Sequence, residues 1–384
     1  MRKPDHIVYM DHASTTPMRE EALYAMMPYF SSQYGNPGSQ HPFGNRARRA
    51  VDDARRTVAQ CVGCRPEEVF FTSGGTESDN WAIKGTVILR HGTAINRIAV
   101  SNVEHHAVLH SCEAMEKRMG TRTVYLTVDK NGFVNMPEID LAVDRGTMLV
   151  SVMMANNEVG TIQPVQDIAR RAHDVGALYH TDATQAVGHM PVDFCGIGCD
   201  MMSLSAHKFG GPKGVGALII RNGVKIARFM DGGHQESGLR ASTENVPGIV
   251  GMAEALKAAC ESMEKETAQV RSVAKRLYSG LAKIPDVIMT GHPTARLPGI
   301  VSVIVGGVES EALLIRLEQA GICASSGAAC TTGDLEPSHV ISAMGLAGMG
   351  APLRLSLAAS NTVEEADYVV EMLMKIVPDL RRLA

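Results

Sequence analysis

The stretch Ser203-Leu-Ser-Ala-His-Lys-Phe-Gly-Gly-Pro-Lys-Gly214 holds the residue best suited to covalent chemistry. Met201, Met202 and Leu204 read as a short buried strand that ends on Ser205, His207 and Lys208, with a glycine-rich turn behind. A lysine held still and partly desolvated at a strand end can act as nucleophile and base near neutral pH. Read alone, the same stretch also suits a surface turn with a solvated lysine. Four further stretches bear on the choice. Phe70-Phe-Thr-Ser-Gly-Gly-Thr-Glu-Ser-Asp-Asn80 runs from a strand through Gly74 and Gly75 into a helix opened by Thr76. Backbone N–H groups at a helix start, with a threonine hydroxyl, suit a phosphate, or simply a capped helix. The spacing is neither a Walker motif nor GxGxxG. Ser101-Asn-Val-Glu-His-His-Ala107 brings His105 to a strand-to-helix junction, where an imidazole can stack on a ring, transfer protons or rest in a core. Met153-Met-Ala-Asn-Asn-Glu-Val-Gly160 ends a strand on two amides, Asn156 and Asn157, which are also ordinary turn residues. His180-Thr-Asp-Ala-Thr-Gln185 ends an apolar strand on Asp182, a carboxylate that needs a partner if buried. A protonated ring nitrogen would be one such partner, and an N-cap amide another. Together, a phosphate cradle, a histidine over a ring, an aspartate for a ring nitrogen and a lysine fit pyridoxal 5′-phosphate (PLP).

These residues need a frame that gathers strand ends. From residue 19 to residue 220 strand and helix patterns alternate, which predicts βαβ units and a mostly parallel sheet. Helices are expected at 19–30, 43–62, 75–90, 107–119, 136–143 and 165–175. Strands are expected at 68–71, 97–101, 123–126, 148–153, 178–181, 201–205 and 215–220. All four stretches then lie at C-terminal strand ends, where open parallel sheets bind ligands. After Pro247 a long amphipathic pattern to Leu281 suits a helix joining two domains. Strands at 287–289, 300–305 and 353–357, with helices at 310–320, 338–344 and 363–376, predict a smaller α+β domain. We expect a large cofactor domain over 15–260, and a small domain built from 1–14 with 261–384.

Bulk properties narrow the class. The 384 residues are 45% hydrophobic and 20% charged, with a net charge of −4, so there is no overall footprint for nucleic acid. The basic run from Arg46 to Arg56 is broken by Asp52 and Asp53 and reads as a solvated helix face. Residues 1–6 lack an apolar signal core, and the most apolar stretch, 148–155, is too short to span a bilayer. A cytoplasmic location is the expectation. Eight cysteines in a chain this long do not make a disulfide framework. Cys61-Val-Gly-Cys64 has no second CxxC, and the pair His106 and His110 has no third ligand nearby, so no metal site is expected.

In order along the chain stand Tyr9-Met-Asp-His-Ala-Ser-Thr-Thr-Pro17, Gly35-Asn-Pro-Gly-Ser39, Thr72 to Asn80, Glu104-His105, Asn156-Asn-Glu158, Asp182 to Gln185, Ser205 to Lys208 and Ser325-Ser-Gly-Ala-Ala-Cys330. This series resembles the cysteine desulfurases of the NifS/IscS branch of class V PLP-dependent enzymes, which have fold type I. The resemblance implies a transferase that converts L-cysteine to L-alanine and leaves the sulfur on Cys330 as a persulfide. It implies that Lys208 carries PLP and then moves the substrate proton. Asp182 would pair with the ring nitrogen, His105 stack on the ring, and Gln185 bond the phenolic oxygen. Gly75, Thr76, Ser205 and His207 would hold the phosphate, with Thr243 reaching the phosphate of a neighbouring subunit in a homodimer. Asn157 and Arg354 would bind the substrate carboxylate, Asn157 also facing the cofactor. Cys330, among small residues from Ala324 to Asp334, would serve as a mobile thiol that hands sulfur to an acceptor or an iron–sulfur scaffold, and could meet a nascent cluster there.

The chain departs from that pattern in places. It has Arg240-Ala-Ser-Thr243 for Arg-Ser-Gly-Thr, Ala328 for a serine, and His12 for a frequent asparagine. Trp81 replaces a smaller apolar residue, residues 345–352 look shortened, and Ser356-Leu-Ala-Ala-Ser-Asn361 lacks a second arginine. These departures bear on acceptor choice and substrate fit. A selenocysteine lyase or a class V aminotransferase would use the same fold, and a sulfur-assembly scaffold or regulator is the non-enzyme alternative.

Overall fold

The computed structural model describes residues 7–327 and 338–383. In chain order, β1 (Val8–Tyr9) leads to α1 (Glu20–Met26), α2 (Pro28–Ser31) and α3 (Pro42–Val62). Then follow β2 (Val69–Thr72), α4 (Gly75–Arg90), β3 (Arg97–Ser101), α5 (His106–Met119), β4 (Arg122–Leu126), α6 (Met136–Ala142), β5 (Thr147–Ser151), α7 (Val165–Asp174), β6 (Leu178–Asp182), α8 (Phe194–Ile197), β7 (Met201–Ser205) and β8 (Gly216–Ile220). The remainder is α9 (Val246–Leu281), β9 (Val287–Met289), β10 (Ile300–Val305), α10 (Ser310–Gln319), β11 (Ile322–Cys323), α11 (His339–Ala343), β12 (Ala351–Ser356) and α12 (Val363–Leu383).

Strands β2, β5, β7 and β8 are buried at every position, as strands covered on both faces must be. They belong to a seven-stranded sheet in the order β2-β8-β7-β6-β5-β3-β4. All its pairings are parallel except those of β8, which runs against both β2 and β7. Two reversals restore direction, so β2 points the same way as β3, β5, β6 and β7. Their C-terminal ends therefore share one edge, and the strand order reverses between β3 and β5 there.

A second, antiparallel sheet has the order β12-β10-β9, and β1 pairs in parallel with β11. Helix α9 serves two cores. Its first half, from Val246 to Ala259, packs on the cluster around the large sheet. Its second half, from Val270 to Leu281, packs with β10, β12 and α12. The long helix expected after Pro247 is present, from Val246 to Leu281.

Three local readings need correction. The helix expected over 19–30 is two helices, because Pro28 lacks the amide that a continuous helix would donate. The last helix runs past Ile376, through Pro378, to Leu383; buried Val377 and Leu380 hold it beyond the proline. Nor is the basic run on α3 uniformly a solvated face. Arg55 makes a two-pronged pair with the buried carboxylate of Glu236, at 2.8 Å on each side.

Candidate active site

At the end of β2 the chain turns through Ser73 and Gly74 into α4. Thr72 Oγ1 lies 2.8 Å from Ser78 Oγ, and Ser73 N donates to Glu77 Oε2 at 2.9 Å. Arg240 grips the same carboxylate, Nε to Oε1 at 2.8 Å and Nη2 to Oε2 at 3.1 Å. Burial works against the charge on Glu77, but the bonds from Arg240 and Ser73 outweigh it and hold the pKa below the usual range. The opening turn of α4 is thus braced while its first N–H groups face the site without intrahelical acceptors. Space is kept by small residues. A Cβ on Gly75 would come within 2.9 Å of Thr184 Oγ1. One on Gly216 would strike the Leu204 carbonyl at 2.5 Å and Gly74 Cα at 2.7 Å. Thr76 is exposed toward this space and Ser205 is buried beside it.

Lys208 sits in the short 3-10 turn that follows β7. Its Nζ donates to the carbonyls of Ala13 at 2.6 Å and Ser14 at 3.0 Å. Gln185 Nε2 donates to the same Ala13 oxygen at 3.0 Å. The N-terminal segment therefore straps across the lysine. His207 lies beside it, with Nδ1 3.1 Å from Thr15 Oγ1, and burial pushes its pKa down to about 4. Asp182, 6% exposed, ends β6 and accepts from Thr184 N at 2.8 Å. His105 caps α5, its Nδ1 accepting from Ala107 N at 3.1 Å, which leaves any single proton on Nε2. Burial lowers its pKa, Asp182 opposes that, and Lys208 adds to it. His105 is a neutral imidazole at pH 7.

A buried layer supports these groups from behind. His180 spans two hydroxyls, Nδ1 to Ser151 Oγ at 2.9 Å and Nε2 to Ser203 Oγ at 3.0 Å. Asp79 Oδ1 is 3.7 Å from His180 Nε2. Burial drives the His180 pKa down to about 4, and burial together with Asp182 raises that of Asp79. The imidazole is therefore neutral near pH 7, and the contact is not an ion pair. Glu104 accepts from Ser101 Oγ and, at 2.7 Å, from Met153 N, and burial raises its pKa to about 8.

Arg354, 2% exposed on β12, closes the site from the second sheet. Its Nη1 donates to the carbonyls of Asn157 and Gly327, and its Nη2 to Asp11 Oδ1 and Ser14 Oγ, all at 2.9 Å. Asn157 meets the arginine through its backbone, while its neighbour Asn156 is structural, accepting from the amides of Glu158 and Val159. Glu158 bonds Ser338 Oγ and abuts Gly327, the described residues flanking 328–337. Cys330 lies outside the described residues. Thr243 is exposed and does not line the site of its own chain; Arg240 ties its segment to Glu77.

The other predicted residues surround one cavity of 520 Å³, with Gly75, Thr76, His105, Asn157, Asp182, Gln185, Ser205, His207, Lys208 and Arg354 all on its wall. That volume lies in the range of cofactor sites. Buried Thr184 Oγ1 and Asp79 Oδ1 line it without hydrogen-bond partners among the described residues. An amine, a carboxylate, an imidazole and a helix start around a glycine-walled cradle fit PLP.

Residues 8–369 match the class V aminotransferase family. The chain belongs to that family. Its fold is fold type I, and its cofactor is PLP. The chain is 45% identical to a cysteine desulfurase IscS of Methanosarcina thermophila over 98% of its own length and 93% of the relative's. It is 44% identical to a cysteine desulfurase IscS of Clostridium botulinum, over 98% of this chain and 96% of that one. Among solved structures, a NifS-like protein superposes with a TM-score of 0.92 at 36% identity, covering 98% of this chain and all of the other.

Several wall and support residues escaped the sequence reading. Ala13 and Ser14 act through backbone oxygens, which no side-chain pattern reveals. Asp79, Glu77 and Thr184 lie inside the stretches singled out for chemistry, and their acid or hydroxyl type was the available signal. His339 meets His106, ring centroids 4.5 Å apart, and His106 meets His110 at 4.9 Å. Among the described residues no cluster of three His, Cys, Asp or Glu side chains is placed to hold a metal ion.

Proposed function

We propose that the protein is an L-cysteine desulfurase that converts L-cysteine to L-alanine and leaves the sulfur on Cys330 as a persulfide, for iron–sulfur cluster assembly or another sulfur-transfer route. The observation that carries this reading is the convergence of Lys208, Asp182 and His105 on one glycine-walled cavity, in a chain whose relatives are named cysteine desulfurases. Lys208, Asp182, Gln185, His105, Ser205, His207, Thr76 and the Gly75 backbone would hold the cofactor. When bound, PLP supplies an electron-withdrawing ring that makes the substrate Cα proton acidic.

The chain's own groups do the rest. Asp182 would pair with the ring nitrogen, where burial strengthens the pairing. Lys208 Nζ takes the Cα proton and delivers one to Cβ. Arg354, with Asn157 beside it, binds the substrate carboxylate by exchanging its present acceptors, Asp11 and two carbonyls, for the substrate's oxygens. The Cys330 thiolate attacks the substrate sulfur; an S–S bond forms, the C–S bond breaks, and the carbon takes a proton to become alanine. Atoms balance as cysteine plus thiol giving alanine plus persulfide.

Further features support the finer reading. Large apolar side chains concentrate on the surface between residues 18 and 43, with Tyr24 68%, Phe30 63% and Tyr34 69% exposed. Such a face suits a second copy of this chain, which would bring Thr243 to the neighbour's cofactor. The two cores that share α9 support a large and a small domain divided near residue 260. None of the seven described cysteines is in a disulfide, which supports a reducing, cytoplasmic setting. No described helix is long and apolar enough to cross a membrane.

The test is purified protein with L-cysteine, measuring alanine and protein-bound persulfide together. Alanine should appear in turnover with persulfide. Cys330→Ser should keep the cofactor absorbance and lose turnover, and Lys208→Ala should lose the absorbance as well. PLP-loaded protein that releases no alanine would refute the proposal.

A further inference from the structure

The fold splits the CxxC spacing of Cys61-Val-Gly-Cys64. Cys61 sits in the last turn of α3, and Gly63, at φ +70°, caps that helix before Cys64. The two thiols then meet different neighbours. Cys64 lies near Cys195 of α8, and its pKa is pushed up to about 12, by burial first and then by Glu68 and Cys195. Cys61 meets Cys260 of α9. Helices α3 and α9 pack against each other, and both cysteines border the large core while staying half-buried. Cys260 directly follows Ala259, and no residue from 261 to 269 is buried, so it marks where α9 leaves that core.

The two thiols share a hydrogen bond. It lowers the pKa of Cys260, against burial and Glu261 and with help from Arg19. It raises that of Cys61, and burial acts the same way there. Cys61 therefore keeps its proton and donates it, and Cys260 is the thiol that ionises. Cys64, Cys112, Cys199 and Cys323 are all shifted the other way, chiefly by burial. The thiolate is the nucleophile in thiol chemistry, so Cys260 is set apart from them. Two half-buried thiols in contact lack only the loss of two electrons to become a disulfide. In a reducing compartment such bonds are transient and redox-sensing. We propose that Cys61 and Cys260 form a thiol-oxidation site, at which a low-molecular-weight disulfide is reduced and α3 is joined reversibly to α9.

The Cys260 thiolate attacks one sulfur of the small disulfide, a mixed disulfide forms, and one small thiolate leaves. Cys61 gives its proton to that thiolate and attacks the Cys260 sulfur. The Cys61–Cys260 bond forms, the mixed disulfide breaks, and the second small thiolate leaves and takes a proton from water. The two protein thiols lose two electrons, and the small disulfide gains them as it becomes two thiols. Neither cysteine lines the PLP cavity, and the step does not draw on the desulfurase reading.

The test is PLP-loaded protein incubated with bis(2-hydroxyethyl) disulfide, quenched with N-ethylmaleimide in denaturant and mapped as unreduced peptides by mass spectrometry. The peptide bearing Cys61 should appear joined to the one bearing Cys260, two hydrogens lighter than the separate pair, and dithiothreitol should restore both thiols. Cys260 should be consumed about tenfold faster than Cys64. Cys61→Ser keeps a donor toward Cys260 but cannot resolve the intermediate, so Cys260 should accumulate as the mixed disulfide. In Cys260→Ser, Cys61 should stay free. The proposal is overturned if Cys61 and Cys260 are still alkylated after Cys195 has been oxidised, if either one joins a different cysteine instead, or if Cys61→Ser gives no mixed disulfide at Cys260.

Discussion

Glu104 shows how a single buried side chain can serve the site without touching substrate. One carboxyl oxygen receives the Ser101 hydroxyl and the Met153 amide, tying the loop after β3 to the end of β5. Its pKa of about 8 lies above the ordinary glutamate value of 4.5 because burial penalises the charge. Between those pH values the folded chain keeps a proton that the unfolded chain has released. The stability from neutral Glu104 is therefore full below about pH 4.5 and is lost as pH rises through about 8. Glu104→Gln retains the acceptor oxygen and cannot ionise. Across pH 5 to 9 the wild type should lose about 4 kcal/mol relative to this variant. Denaturant unfolding at stepped pH measures the difference, and parallel stability curves would refute it. The motif Glu104-His105 was legible in sequence, but the carboxyl's neutrality was not, since it comes from strands remote in the chain.

At the scale of elements, the cradle is a contact between β8 and the turn before α4. Gly216 lies against two backbone groups, the Leu204 carbonyl and Gly74 Cα, neither of which can rotate away. Gly216→Ala should push β8 from the turn, cost about 1–3 kcal/mol, and lower PLP occupancy at limiting cofactor. Cofactor absorbance per chain and a thermal melt read both effects, and unchanged occupancy would sink the idea. The helix itself is anchored by Trp81, wholly buried, whose Nε1 donates to the Ala227 carbonyl at 3.0 Å. The helix α4 was readable from Gly75 to Arg90 because its start and its apolar face are local signals. The antiparallel insertion of β8 between β2 and β7 was not readable, because strand neighbours are chosen by packing rather than by local pattern.

At the scale of the whole molecule, α9 joins two cores, and the site lies where Arg354 from one meets Lys208 and Asp182 from the other. The proposed homodimer belongs to this scale too. Tyr24→Glu combined with Phe30→Glu puts charge on the exposed apolar face, away from the cavity walls. Sedimentation equilibrium at micromolar concentration should show a dimer for wild type and a monomer for the variant. PLP retention should fall in parallel, since Thr243 would no longer reach a neighbour. A monomeric wild type would refute the dimer.

The sequence by itself determined the residue types at the strand ends, the alternation that makes a parallel sheet, and a family resemblance running from Tyr9 to Cys330. Those are local signals: periodicity, turn chemistry and motif order survive without knowledge of what packs where. Tertiary structure decided that the N-terminal strap, through the Ala13 and Ser14 carbonyls, holds Lys208. It decided that Arg354 faces Asp11, that Glu104 is neutral at pH 7, and that burial raises the pKa of Asp79. It also decided that His12 is buried beside a cavity with no partner among the described residues. Each of these turns on burial and on contacts between segments far apart in the chain, and a residue's neighbours in sequence carry no record of either.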